Sequence, residues 1–325
     1  VTGVFRANNP YNNFLLFLYA LVLKFPMFLG NTDPVSGSVD GFMYEALLRK
    51  IEKFTVFPAG ALLAFLLVLS QALLLNALVN RYRMMQKSNY LTGMSYLLIS
   101  SLFVEWFRLS SVMIVSSLII WAVSKLSDIH INPNPRTTIF NIGMLVGISG
   151  FFYYPAFLFL ILVFFGLALS RPFRFQEWLL ALLGLIAPYY FLLAILFLRG
   201  RLDLPALPAL SFNLPVIENK NFVLLAVILI TVLTLAGIYF VNQNMRRQVV
   251  QTRKNWNLIF FYLVLAIFLG FFNPAHAFGY FFLAAVPLAM IAGAAFLYPE
   301  KRWFRITLHW SMAAIALLTA YYLRK

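Results

Sequence analysis

Between Phe222 and Val241 the chain runs for twenty residues without a charge. A helix of that length spans a hydrocarbon core of about 30 Å. Runs of this kind recur along the whole sequence, and they constrain the fold more than any other feature. They predict an all-α, polytopic transmembrane helix bundle of about eleven spans. The composition agrees: 62% of residues are hydrophobic and 11% are charged, where a soluble domain carries about 25% charged residues. No loop between apolar runs is long enough for a soluble domain of its own, so residues 1–325 read as a single integral membrane domain.

The expected spans are 14–30, 58–79, 90–107, 110–123, 137–152, 155–170, 178–198, 222–241, 256–272, 279–298 and 306–323. The run from Thr137 to Ser170 is too long for one straight crossing. Gly150 and Pro155 near its middle predict a break there. The two large outward loops are 31–57 and 199–221. Pro205, Pro208 and Pro215 argue against a continuous helix in the second, which is expected to lie extended over the surface.

The net charge is +15, but the basic residues flank apolar runs. That placement reads as topology and contact with membrane lipids, not as nucleic-acid binding. Alternate connections carry fifteen Lys and Arg, and the opposite set carries nine. The positive-inside rule then puts the N-terminus in the cytoplasm, in a bacterial inner membrane. Seven of the ten acidic residues fall on the outward set, which topology alone does not require. The polar N-terminal stretch has no small-residue cleavage pattern, so the first span is expected to be retained.

The stretch from Gly30 to Phe54 is the longest markedly polar interval early in the chain. It opens as a loop with Asp33 and Asp40 and continues as an amphipathic segment. Met43, Leu47, Ile51 and Phe54 share one face. Such a helix is expected to lie at the bilayer surface after the first span.

Several residues carry two readings. Asp40 is an outward carboxylate, and it is also a favoured helix cap before Gly41. Asp33 precedes Pro34 and fits a turn. Arg108, Arg199 and Arg201 can clamp phosphate at a span end, or snorkel there. His276 lies in an outward turn, where a solvated imidazole is equally at home. Tyr153 and Tyr154 suit interface anchoring or a wall against a lipid tail or sugar. Lys24 within the first span needs a partner, and Glu105 is a candidate. No cofactor motif is present: there is no P-loop, no dinucleotide fingerprint and no His-x-x-x-His pair. Carboxylates suit a divalent cation, so a metal at Asp33 and Asp40 stays open.

The order of first span, acidic outward loop, interfacial helix and second span resembles the GT-C superfamily of membrane glycosyltransferases. The stretch from Asn134 to Arg174 also resembles it, with Gly143, Gly147, Pro155, Arg171 and Arg174 in a Gly-containing helix, an outward proline turn and a basic inward turn. Over its length, from the FRANNPYNN start onward, the chain resembles a family of bacterial polytopic membrane proteins of unknown function. The GT-C resemblance implies a polyprenyl-phosphate-linked sugar as donor and an envelope acceptor at the outer face. It implies Asp40 or Asp33 as base and Arg108, Arg199, Arg201, His276, Tyr153 and Tyr154 toward substrate. Asp40 is followed by Gly41 and not by a second acid, and no soluble C-terminal domain is expected within residues 1–325. Both departures leave room for a noncatalytic scaffold subunit with envelope-complex partners. A transporter or lipid flippase is a third reading, and it expects more polar residues within the spans.

Overall fold

The computed structural model describes residues 2–29, 34–52, 59–132, 134–200, 212–215, 220–272 and 278–323. These form thirteen α-helices: α1 Thr2–Arg6, α2 Asn12–Lys24, α3 Phe42–Ile51, α4 Ala59–Arg81, α5 Leu91–Ile99, α6 Ser111–Asp128, α7 Arg136–Gly150, α8 Phe159–Ser170, α9 Phe175–Leu198, α10 Lys220–Met245, α11 Val250–Gly270, α12 Ala285–Leu297 and α13 Arg302–Leu323. Short 3₁₀ segments extend several of them. Among the described residues there are no strands, only two isolated bridges, Asp40 with Tyr153 and Phe212 with Phe272.

Five helical stretches are long and apolar enough to cross a membrane: α4, α6, α9, α10 and the continuous Phe278–Leu297 that ends in α12. Two shorter apolar stretches, Asn12–Phe28 and Tyr154–Ser170, accompany them. The chain is thus a helical, multi-pass membrane protein. Burial sorts these helices into layers. The stretch ending in α12 is 89% buried and forms the centre, while only 11% of the α9 span is buried. Phe191, Ile195 and Leu198 of α9 lie exposed, as lipid-facing residues do.

The expected break after α7 falls where Gly150 and Pro155 predict it. The helix ends at Gly150, the chain turns through Phe151 and Phe152, and a 3₁₀ turn over Tyr154–Leu158 leads into α8. Helix α7 packs closely against α9. A Cβ on Gly143 would lie 2.2 Å from the Ala181 carbonyl oxygen, and one on Gly147 would lie 2.4 Å from that of Leu185. Small residues four apart let two helix backbones approach in this way.

The stretch 90–107 is not one crossing helix. Helix α5 has nine residues and stops at Ile99. The chain then turns through Ser100–Phe103 into a 3₁₀ segment, Val104–Phe107. Ser100 and Ser101 turn their hydroxyls back onto the Leu97 carbonyl. Irregular backbone is tolerated at membrane depth only when protein encloses it, and all nine α5 residues are buried. Lys24 completes the helix end. Its amino group donates to the Ser100 carbonyl at 2.5 Å and lies 4.2 Å from the centre of the Phe107 ring. The bond satisfies a carbonyl that the helix end leaves without an intrahelical donor. Lys24 is therefore satisfied by backbone and ring, not by Glu105.

Hydrogen bonds between loops define the two ends of the bundle. At one end, Tyr90 N–H donates to Phe5, Arg81 pairs with Asp128 at 3.0 Å, and the Trp256 indole donates to Met84. Phe5, Arg81, Met84 and Asp128 lie on the basic-rich set of connections, and Tyr90 and Trp256 are the first residues of the expected spans beside them. The other end gathers Asp40, Ser111, Tyr153 and Tyr280.

Candidate functional site

At this second end the loop before α3 is stitched to the turn after α7. Gly41 N–H donates to the Phe152 carbonyl at 2.7 Å, Tyr154 N–H to Val39 at 3.0 Å and Met43 N–H to Phe151 at 3.1 Å. The approach is so close that a Cβ on Gly41 would lie 2.0 Å from the Phe151 carbonyl oxygen. No side chain fits there.

Helix α3 packs on this platform through Tyr44 and Leu48, with Ile51 of the expected apolar stripe half-buried beside them. Tyr44 and Leu48 are buried, and Met43 is 43% exposed. The Tyr44 hydroxyl fixes the rotation, lying 2.8 Å from the Val35 carbonyl and 2.9 Å from that of Leu109. The tether leaves Met43 of the apolar stripe exposed, on the side away from Tyr44. Phe54 lies outside the described residues.

Asp40 is buried, with 3% of its surface exposed. It does not cap α3 with its side chain. Gly41 holds the N-cap position without a side-chain bond. One Asp40 oxygen instead accepts the Gly37 N–H at 2.7 Å, closing its own turn. The other accepts the hydroxyl of Ser111, in the first turn of α6, and that of Tyr280 at 3.4 Å. The Tyr280 ring stacks on Tyr153 with centres 5.3 Å apart. Burial pushes the Asp40 carboxyl up to about 6, against the lowering effect of these donors.

A cleft runs over the carboxylate, lined by Val35, Asp40, Glu105, Ser110, Ser111, Gly279 and Tyr280. It brings a second acid, Glu105, beside Asp40. Its free volume is about 10 Å³, room for about one water. Both Asp40 oxygens already accept protein donors. Among the described residues no group of three or more His, Asp or Glu could hold a metal ion.

The other expected site residues are scattered. Asp33, Arg201 and His276 lie outside the described residues. Arg108 sits on the turn after Glu105, to whose carbonyl its N–H donates at 3.3 Å, and its Nε is buried without a partner. Arg199 is exposed at the end of α9 and does not line the cleft. Tyr153 is fully buried, and its hydroxyl reaches the Leu269 carbonyl at 2.9 Å. Its ring is taken up by Tyr280 and leaves no free face for a sugar. Tyr154 is half-buried beside it. Sequence reasoning missed Ser111, Tyr280 and the cleft role of Glu105. Nothing in the sequence links Asp40 to residues 71 and 240 positions away.

Comparison with protein-family models, curated proteins and solved structures gives no match to this chain.

Proposed function

We propose that the chain is a GT-C-like membrane glycosyltransferase, taking a sugar from a polyprenyl-phosphate donor at the Asp40 end. One observation carries the reading. The acidic residue of the first loop is buried in a cleft with a second carboxylate and two hydroxyls, and its pKa lies near 6. A general base works best near the ambient pH. In this reading Asp40 takes the proton from the acceptor hydroxyl as its oxygen bonds to the sugar carbon. The bond to the donor phosphate breaks, and the lipid phosphate leaves as the anion. Ser111 and Tyr280 orient the carboxylate. Loop rearrangement must widen the cleft before a sugar can enter.

The test replaces Asp40 with Asn in the full chain. Asn keeps the shape and can exchange hydrogen bonds with Ser111, Tyr280 and Gly37, but it takes up no proton. The expected result is normal membrane abundance with turnover of lipid-linked sugar reduced by about 10²-fold or more. Unchanged turnover would remove Asp40 as base. The small volume over Asp40 favours a second reading, a noncatalytic scaffold of an envelope complex in which the carboxylate only ties α3 to α6. That reading predicts unchanged turnover for both Asp40→Asn and Glu105→Gln.

A further inference from the structure

Among the described residues, the basic end of the bundle holds arginines that form no ion pair. A cavity of about 370 Å³ opens between α1 and the start of α13. Arg6, Arg302 and Arg305 line it, and no acidic residue does. Arg302 and Arg305 stand at the N-terminal end of α13, whose first turn holds no acid. A helix start carries partial positive charge, so these arginines oppose both the dipole and one another. None of the three takes part in the ion pairs among the described residues. The Arg305 Nε is buried with no hydrogen-bond partner. Buried donors in folded proteins are otherwise paired. An anion in this cavity would satisfy all of these groups at once.

A second cavity of about 410 Å³ adjoins the first. The two share Val4, His309 and Trp310. Leu18, Val22, Ala313 and Leu317 line the second between α2 and α13. Leu18, Val22 and Leu317 are exposed, so the groove opens sideways, as a lipid-facing groove does. At the junction the Tyr19 hydroxyl and His309 Nε2 lie 3.2 Å apart and satisfy each other. The groove thus presents little but hydrocarbon beyond the arginines.

We propose that the paired cavities bind one anionic phospholipid, with its phosphate among Arg6, Arg302 and Arg305 and an acyl chain along the groove between α2 and α13. Arginine forks match phosphate oxygens. A free phosphate would use only the first cavity. Diffuse attraction of basic residues to anionic headgroups would need neither a cavity between two helices nor an apolar groove beside it. The site lies at the opposite end of the bundle from Asp40 and does not depend on the glycosyltransferase reading.

The experiment titrates the detergent-purified full chain with phosphatidylglycerol and counts bound lipid by native mass spectrometry. Phosphatidylcholine and inorganic phosphate serve as comparison ligands. One phosphatidylglycerol per chain is expected. The pair Arg302→Gln and Arg305→Gln should weaken it at least about tenfold. Ala313→Phe, which fills the groove, should do the same, and it decides the matter alone if the arginine variant does not purify. Arg253→Gln, an exposed cation on α11, should change little. Equal losses from Arg253→Gln and the arginine pair would mean diffuse attraction and overturn the proposal. Displacement of the lipid by inorganic phosphate, with Ala313→Phe silent, would mean a free-anion site and overturn it as well.

Discussion

The two ends of the bundle hold their charges in different ways. At one end a carboxylate is enclosed, every oxygen is engaged, and about one water fits above it. At the other end three arginines surround a far larger cavity, and one carries a buried donor with no acceptor. A satisfied buried charge serves geometry first, because its bonds define where loops lie. An arginine nitrogen enclosed without an acceptor, as at Arg305 and at Arg108 beside Glu105, leaves a donor that a ligand can take up. The same contrast separates residues that hold the molecule together from residues that await something.

Glycine substitutions give the largest expected difference between the ends. Gly41→Ala must part the loop from the turn after α7 and break three backbone hydrogen bonds. The expected loss is about 3 kcal/mol or more, on roughly 1 kcal/mol per bond. It should read as a large drop in the thermal midpoint of the detergent-purified protein. Gly3→Ala in α1 has nothing within 4 Å of the new Cβ and should stabilise slightly, by up to about 1 kcal/mol. Equal effects would remove the distinction between a stitched end and an open one.

Titration of Asp40 comes next. Its carboxyl is raised from 3.8 to about 6, chiefly by burial. The stability it contributes is therefore fully present below pH 3.8 and lost as the pH rises through 6. The total is about 3 kcal/mol, at 1.36 kcal/mol for each pH unit. Relative to Asp40→Asn, the wild-type thermal midpoint should fall between pH 5 and pH 7. Turnover by a general base should rise over the same interval, so activity and stability would move in opposite directions. A flat difference between wild type and variant would mean that the carboxylate is not desolvated in solution.

The smallest effect is expected from Tyr280→Phe. It removes a long hydrogen bond of 3.4 Å and keeps the ring on Tyr153. A stability loss below about 1 kcal/mol is expected. A much larger fall in turnover than in thermal midpoint would make Tyr280 a positioning residue for the base. Equal proportionate losses would favour the scaffold reading.

The parts of this architecture visible in the sequence are those set by local chemistry. Apolar run length announces α4, α9 and α10, and Gly150 with Pro155 announces the turn before α8. Asp40 and Gly41 mark the start of α3 by position. The rest depends on contacts across the chain. Leu91–Phe107 is as apolar as a crossing helix, and hydropathy does not distinguish a span from a short helix with irregular backbone sealed in protein. The face of α3 follows a tyrosine tether to residue 109. The cleft needs Ser111 and Tyr280 brought to Asp40 from 71 and 240 positions away. The arginine cavity joins α1 to the start of α13, about 300 positions apart, and the positive-inside pattern hides it among ordinary topological charges.

Helix α5 bears on how the protein is made. It is about 14 Å long at roughly 1.5 Å per residue, less than half a hydrocarbon core. Its Thr92, Ser95 and the neighbouring Gln71 and Asn76 are all buried. Lipid is a poor host for such a segment. Much of its packing comes from α12, synthesised nearly two hundred residues later, where Gly293 meets Thr92. The early part of the chain must therefore wait, incompletely inserted or chaperoned, until the late part arrives. Ribosome-stalled chains ending before Ala285 should leave Ser95 open to water-borne labelling after Ser95→Cys, and full-length chains should protect it.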